Sequence, residues 1–226
     1  MTFIWDICKG AYRFTEKEEK ITRWFLKLLI RECPKTCSFL LLLDLDNIEF
    51  YWAPGMTTDN GIQGAWCITS PNRIYMVALE NEQHYHCIRH SITLKDYLTD
   101  ARMKHLLNSC VSVTMVHELM HMLQFKTNPF LYVINRLVTL FIDRIPFLEM
   151  IGIEYNARSN SETEEFYEFA EKLERCISTY TCAVYSKPPS DENFSYRNWC
   201  EIYPETSYEG KKFRKLTLEY VNMINE

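Results

Sequence analysis

The sequence lacks an excess of positive charge, a long uninterrupted apolar run and an N-terminal segment that resembles an export signal. Its formal net charge is −5 over 226 residues, so electrostatics give no argument for binding nucleic acid or an anionic membrane surface. The most apolar stretch, residues 130–145, contains Arg136, Asp143 and Arg144 and is shorter than the roughly 20 residues that cross a bilayer. Residues 1–6 are too short and too polar for an export signal. We therefore expect a cytoplasmic chain without an integral membrane segment.

The sequence also lacks the paired C-x-x-C spacing of a structural zinc site. Its nine cysteines are an odd number spread without a dense framework, which indicates reduced thiols in a cytosolic protein. Two closer spacings, Cys33 with Cys37 and Cys176 with Cys182, leave a disulfide or a metal site open as alternatives. A hydrophobic content of 47% with 14% aromatics is typical of a globular protein and excludes a disordered chain.

The first half of the chain has the pattern of one helix followed by strands. Thr15 with Glu18 three positions later resembles a capping box, and apolar residues then recur at helical spacing up to Cys33-Pro34. Residues 38–46 fit either a strand or a helix, because a run of leucines has no diagnostic period. Three further strands are predicted at the segments 48–52, 65–69 and 73–79. These segments predict a small mixed or antiparallel sheet.

The pattern H-E-x-x-H stands inside a second, more apolar helical stretch, as His117-Glu118-Leu119-Met120-His121. Residues four apart lie on one face of a helix, so both imidazoles can reach a single ion. Glu118 follows His117 by about 100° around the helix, where its carboxylate can reach water on that ion without binding the ion itself. Chance produces this pattern in on the order of one or two such chains per hundred. Burying these polar side chains without partners is costly, and a metal supplies the partner.

A hydrolytic zinc usually has three protein ligands, so one more is expected beyond the motif. Glu154 lies among apolar residues at the start of a helical pattern that runs to about residue 181, and a lone buried carboxylate there needs a cation. Glu149 is the second candidate. The histidines His84, His86 and His90 form a separate cluster, for which a second metal site and a solvated loop both remain open.

The H-E-x-x-H pattern at residues 117–121, followed downstream by Glu154-x-x-Ala157, resembles the zincin metallopeptidases and specifically their gluzincin branch. The resemblance implies an α+β, zincin-like fold, in which the small sheet packs on an active-site helix and a mostly helical C-terminal half follows. It also implies the roles of individual residues. His117, His121 and Glu154 would be ligands of Zn2+, Glu118 would be the catalytic general base, and strand 73–79 would be the edge strand that aligns the substrate.

Two positions depart from related patterns. Arg158 stands where many gluzincins carry an aspartate that orients a ligand histidine, so another acceptor must hold the imidazoles. Gln124 stands where the metzincin extension requires glycine, which excludes that branch. For the group that stabilises the reaction's oxyanion, Tyr155, His90 and Arg158 are all candidates.

We expect a single metallopeptidase-like domain over residues 1–226, with a helix and sheet part at 15–92, the two site helices at 93–182 and an extension at 183–226. The predicted function is zinc-dependent hydrolysis of peptide bonds in a protein or peptide substrate. A binding or regulatory protein that retains the fold with a structural or vestigial metal is the alternative. A helical protein without metal is a third interpretation. The oligomeric state is not indicated.

Overall fold

The computed structural model has an α+β architecture in which a small mixed sheet is accompanied by helices. Two compact units are distinguished along the chain, Met1–Phe166 and Tyr167–Glu226. Across the described residues, no helix combines the length and apolarity needed to cross a membrane. The structure describes residues 10–53, 57–58, 61–62, 65–68, 72–77, 113–134, 157, 163–185 and 196–226.

The first unit contains six strands and three complete α-helices, as far as the described residues extend. The strands are β1 (Tyr12–Arg13), β2 (Glu49–Ala53), β3 (Thr57–Thr58), β4 (Gly61–Ile62), β5 (Ala65–Ile68) and β6 (Arg73–Val77). The helices are α1 (Glu16–Glu32), α2 (Pro34–Cys37) and α3 (Val113–Thr127), with 3-10 turns at Ser38–Leu42 and Leu45–Asn47. A further helical stretch covers residues 129–134.

Helix α1 begins where the sequence predicts. The Thr15 side chain accepts a hydrogen bond from the Glu18 backbone, and the Glu18 carboxylate accepts one from the Thr15 backbone at 2.8 Å, which completes a capping box. Cys33 ends the helix, since the following Pro34 cannot continue it. Ile21, Phe25 and other apolar residues of one face are fully buried. The predicted capping box and the predicted amphipathic helix are both confirmed.

The main sheet is mixed, as predicted, with the strand order β1-β2-β6-β5. Strands β2 and β6 run parallel, while β1 and β5 pair antiparallel with their neighbours. Its core contains Trp52, on which Phe14 stacks at 4.5 Å between ring centroids. The parallel register places Glu49 beside Arg73, and the Arg73 Nε donates to the Glu49 carboxylate at 2.7 Å. This contact also lowers the pKa of Glu49 below its ordinary value.

Helix α3 carries the H-E-x-x-H pattern and is packed into the first unit. Met115, Val116 and Leu119 have no exposed surface, and the helix contacts β5 and the 3-10 turn Ser38–Leu42. The Lys126 ammonium donates to the Leu42 carbonyl at 3.0 Å. The helix ends at Thr127, before Asn128-Pro129, as the sequence predicts.

The second unit is helical. Helix α4 (Glu164–Tyr185) runs into it from the first unit, and α5 (Tyr196–Ile202) and α6 (Tyr208–Asn225) follow. Within the unit, Arg214 donates to the carbonyls of Tyr203 and Cys200 and lies over the Trp199 ring at 4.9 Å. These contacts supply partners for carbonyls at the end of α5, which a helix terminus otherwise leaves unpaired.

Of the two alternatives left open for residues 38–46, the strand is excluded, because two 3-10 turns lie there. The prediction of a single helix from Glu154 to about residue 181 is wrong, because Thr163 is not helical and its hydroxyl accepts from the Phe166 backbone at the start of α4. Threonine is a favoured N-cap residue, so the helix begins after Thr163 and not at Glu154.

We predict that Glu18→Ala lowers the free energy of unfolding by about 2–4 kcal/mol, since it leaves buried donors without their acceptor. Glu18 is 3% exposed, and its carboxylate also accepts from the Trp52 indole at 3.3 Å. The measurement is the urea midpoint of the full chain followed by tryptophan fluorescence. Glu16→Ala, on the exposed side of the same turn, is the matched control. Equal midpoints for both variants would contradict the prediction.

Candidate metal centre

The two histidines of the motif meet at one point beside helix α3. The Nε2 atoms of His117 and His121 are 2.9 Å apart. Their ring centroids are 4.5 Å apart and the ring planes are perpendicular. His121 is 0% exposed, whereas His117 is half-buried. The four-residue spacing has therefore produced the convergence of nitrogen atoms that the sequence predicts.

The nitrogen pair fits two neighbouring ligands of a zinc ion. Two nitrogens at zinc distances of about 2.0–2.1 Å in a tetrahedral site are roughly 3.3 Å apart. The observed 2.9 Å between His117 and His121 requires each ring to move by only a few tenths of an ångström to reach that separation. Neutral imidazole nitrogen is also a ligand type that zinc prefers.

Gln124 is a site residue whose contact the sequence analysis missed. Its Oε1 lies 2.8 Å from Nδ1 of His121. Gln124 can therefore accept a hydrogen bond from His121. The sequence pattern left this acceptor unassigned, because Arg158 stands where many gluzincins carry an aspartate. The signal was available in the spacing, because positions three apart on a helix are neighbours. In the sequence pattern, Gln124 indicates only that the metzincin extension is absent.

Glu118 lies on the same helix between the two histidines. It is 8% exposed, and its neighbours Val116 and Leu119 are fully buried. The 100° step from His117 gives Glu118 a different direction from the imidazoles. Glu118 is thus carried by the same helix as the histidine pair, one position after His117.

Tyr132 is a second residue that the motif did not reveal. It belongs to the helical stretch at 129–134, and its ring centroid lies 6.1 Å from that of His121 and 5.7 Å from that of Phe125. Tyr132 is itself buried. This aromatic packing restricts the motion of the His121 ring, and only the chain turn at Asn128-Pro129 brings it there.

The third predicted ligand, Glu154, lies outside the described residues, as does its alternative Glu149. The same holds for Arg158 and Tyr155 and for the histidine cluster His84, His86 and His90. Among the residues that are described, no three histidine, cysteine, aspartate or glutamate side chains form a group able to hold a metal. The described part of the centre is therefore the pair His117 and His121.

The first cysteine pair is not joined by a disulfide, and Cys33 and Cys37 are both buried. Burial, and next the neighbouring Cys33, raises the pKa of Cys37 far above its ordinary value. Cys176 is likewise buried and not disulfide-bonded, while Cys182 lies outside the residues whose side chains are described.

The expected edge strand is inside the sheet. Strand β6 pairs with β2 on one side and β5 on the other, so its backbone is not available to a substrate chain. Of the described strands, β5 is the one at that edge. It is also the strand that contacts the motif helix. The prediction for β6 came from the family resemblance, and chain order does not determine strand order.

A groove of about 240 Å³ lies along the C-terminal part of α3. Neither histidine of the pair lines it, and neither does Glu118. It is therefore separate from the histidine pair. Its lining residues are Leu43, Asp44, Ile48, Asn72, Met122, Phe125 and Lys126.

The described fold and centre together define an α+β chain with a buried H-E-x-x-H helix and converging imidazoles. No protein-family model matches the chain, and no curated protein or solved structure matches it significantly.

Proposed function

We propose that this protein is a zinc-dependent peptidase with a zincin-like fold of the gluzincin type. The observation that carries the proposal is the 2.9 Å approach of the His117 and His121 Nε2 atoms on a buried helix that also bears Glu118. Two imidazole nitrogens that converge from one face of a helix are the arrangement with which H-E-x-x-H motifs bind a shared metal ion.

In this proposal His117, His121 and Glu154 hold the zinc ion. The two imidazoles supply neutral nitrogen ligands from one helix, and the Glu154 carboxylate supplies an oxygen ligand from a distant part of the chain. Zinc, when bound, provides a Lewis acid that polarises the scissile carbonyl and acidifies water. The protein must leave one coordination position open for that chemistry.

Glu118 acts as the general base. Its carboxylate takes a proton from the attacking water and then delivers that proton to the leaving amine, which breaks the peptide bond. The low exposure of Glu118 limits exchange of this proton with bulk water. A rigid helix keeps the carboxylate in register with the histidines throughout the reaction.

The substrate is a protein or peptide chain that adds to the sheet as an extended strand. Strand β5 (Ala65–Ile68) offers a described edge next to helix α3. Main-chain hydrogen bonds to such an edge bind peptides with little dependence on their side chains. Cys33, Cys37 and Cys176 are not joined in disulfides. Reduced thiols are typical of the cytosol, and we place the activity in the cytoplasm.

A non-catalytic protein with a structural metal is a weaker explanation of this centre. The apolar side of α3 is already packed, since Met115, Val116 and Leu119 are fully buried among protein atoms. A domain with such a core does not depend on a metal for folding, unlike small structural zinc modules.

We expect Glu118→Gln to retain zinc and to lower kcat about 100- to 10,000-fold, because the amide cannot accept the water's proton. Hydrolysis of a mixed peptide library and zinc content by atomic spectroscopy are the two measurements. Glu168→Gln, the same change at an exposed position of α4, leaves both quantities unchanged. Loss of zinc from Glu118→Gln would mean that Glu118 is a ligand and not the base.

Glu154→Ala is expected to lower zinc affinity by at least about tenfold, since one of three protein ligands is lost. The measurement is zinc uptake in competition with a chromophoric chelator. Glu149→Ala serves as the control and keeps wild-type uptake. The reverse pattern would assign the third ligand to Glu149, and unchanged uptake in both variants would exclude either glutamate.

Removal of zinc by a chelator is expected to abolish hydrolysis while the helical circular dichroism signal at 25 °C persists. The free energy of unfolding falls only by the contribution of zinc binding, because a ligand stabilises the folded state by mass action. The melting temperature falls accordingly. Added zinc then restores activity. Complete unfolding on chelation would instead support a structural metal.

A further inference from the structure

Gln124 occupies the position on α3 that determines which ring nitrogen of His121 carries a proton. It follows His121 by three positions, and helical side chains lean towards the N-terminus, so the Gln124 side chain covers the turn that bears His121. Its Oε1 is 2.8 Å from the His121 Nδ1. An amide oxygen only accepts hydrogen bonds, so this contact is a hydrogen bond when a neutral His121 carries its proton on Nδ1.

The burial of His121 makes this contact decisive. The His121 side chain is 0% exposed, so bulk water cannot replace Gln124 as the acceptor. With Nδ1 protonated, the lone pair of the neutral ring is on Nε2. That atom is the one facing Nε2 of His117 at 2.9 Å. Without a metal, the Nε2–H of His117 then donates to this lone pair. The bond to Gln124 thus keeps Nε2 of His121 as the acceptor nitrogen that points at the shared position.

The sequence offers few other ways to orient this ring. Arg158 occupies the place where an aspartate would accept from a ligand histidine, and arginine has only donors. Tyr132 contacts the ring of His121 through its own ring, which restricts the ring's position and leaves the location of its proton to polar partners. Gln124 provides an acceptor within hydrogen-bond distance of Nδ1.

We infer that Gln124 is a positioning residue that holds His121 in the Nδ1–H tautomer and so presents its Nε2 to the metal. The inference rests on the proposed zinc site for its consequence, which is tighter metal binding. Outer hydrogen-bond partners of ligand histidines typically contribute 10- to 100-fold to metal affinity, which is about the effect expected here.

The test uses the full chain with 15N-labelled histidine in metal-free buffer, where two-bond proton–nitrogen correlations distinguish the tautomers. In the wild type, His121 carries its proton on Nδ1. Gln124→Met, similar in size but without an acceptor at this position, shifts the proton towards Nε2 and weakens zinc binding about 10- to 100-fold in a chelator competition. Gln124→Glu keeps an oxygen acceptor and retains the wild-type tautomer, with a zinc affinity at or above that of the wild type, since a carboxylate partner raises the basicity of the imidazole.

Thr127→Ala is the matched control, since Thr127 is exposed on the same helix and its hydroxyl bonds only the Leu123 carbonyl among the contacts described. The Thr127→Ala substitution changes neither the His121 tautomer nor the zinc affinity. Gln124→Asn, whose amide is one carbon too short to reach, replaces Gln124→Met if the latter does not fold. A wild-type His121 protonated on Nε2, or a Gln124→Met variant with unchanged tautomer or affinity, overturns the inference. A wild type that binds no zinc overturns the proposed function, and the tautomer spectra then decide the role of Gln124 separately.

Discussion

The structure of the candidate centre depends on one constraint. Polar side chains on a buried helix must be hydrogen-bonded to neighbouring groups. Helix α3 is enclosed on its apolar faces, and His121 has no exposed surface. Its two ring nitrogens accordingly face His117 and Gln124 at 2.9 and 2.8 Å. Without such partners the cost of burial would reach a few kcal/mol for each group. The helix thus organises a row of polar groups along one side, and the proposed chemistry uses this row.

Features that depend on local sequence were predicted well. The capping box of Thr15 and Glu18, the end of α1 at Cys33-Pro34 and the end of α3 before Pro129 are each determined by interactions within a few residues. The strands β2, β5 and β6 were found for a similar reason, since aromatic and β-branched runs bounded by turn residues are a short-range signal. The pairing of His117 with His121 also follows from helix geometry alone.

Features that depend on tertiary packing were not predicted. The leucines of residues 38–46 form 3-10 turns because their surroundings, including α3, determine a conformation that the run itself leaves open. The position of β6 inside the sheet depends on a parallel pairing with β2, about two dozen residues earlier in the chain. No residue in the sequence indicates this pairing. Tyr132 reaches His121 only because the chain turns after Thr127.

The imidazole pair has a consequence for metal selectivity. Nitrogen ligands bind late first-row divalent ions in an order that rises to copper and then falls at zinc, so two histidines alone favour Cu²⁺ over the biologically expected ion. In the zinc site proposed above, discrimination among these ions would come from the remaining ligand and from metal availability. A recombinant chain purified on nickel resin would then bind nickel at the same two histidines, so the ion found after purification would depend on the column and the growth medium.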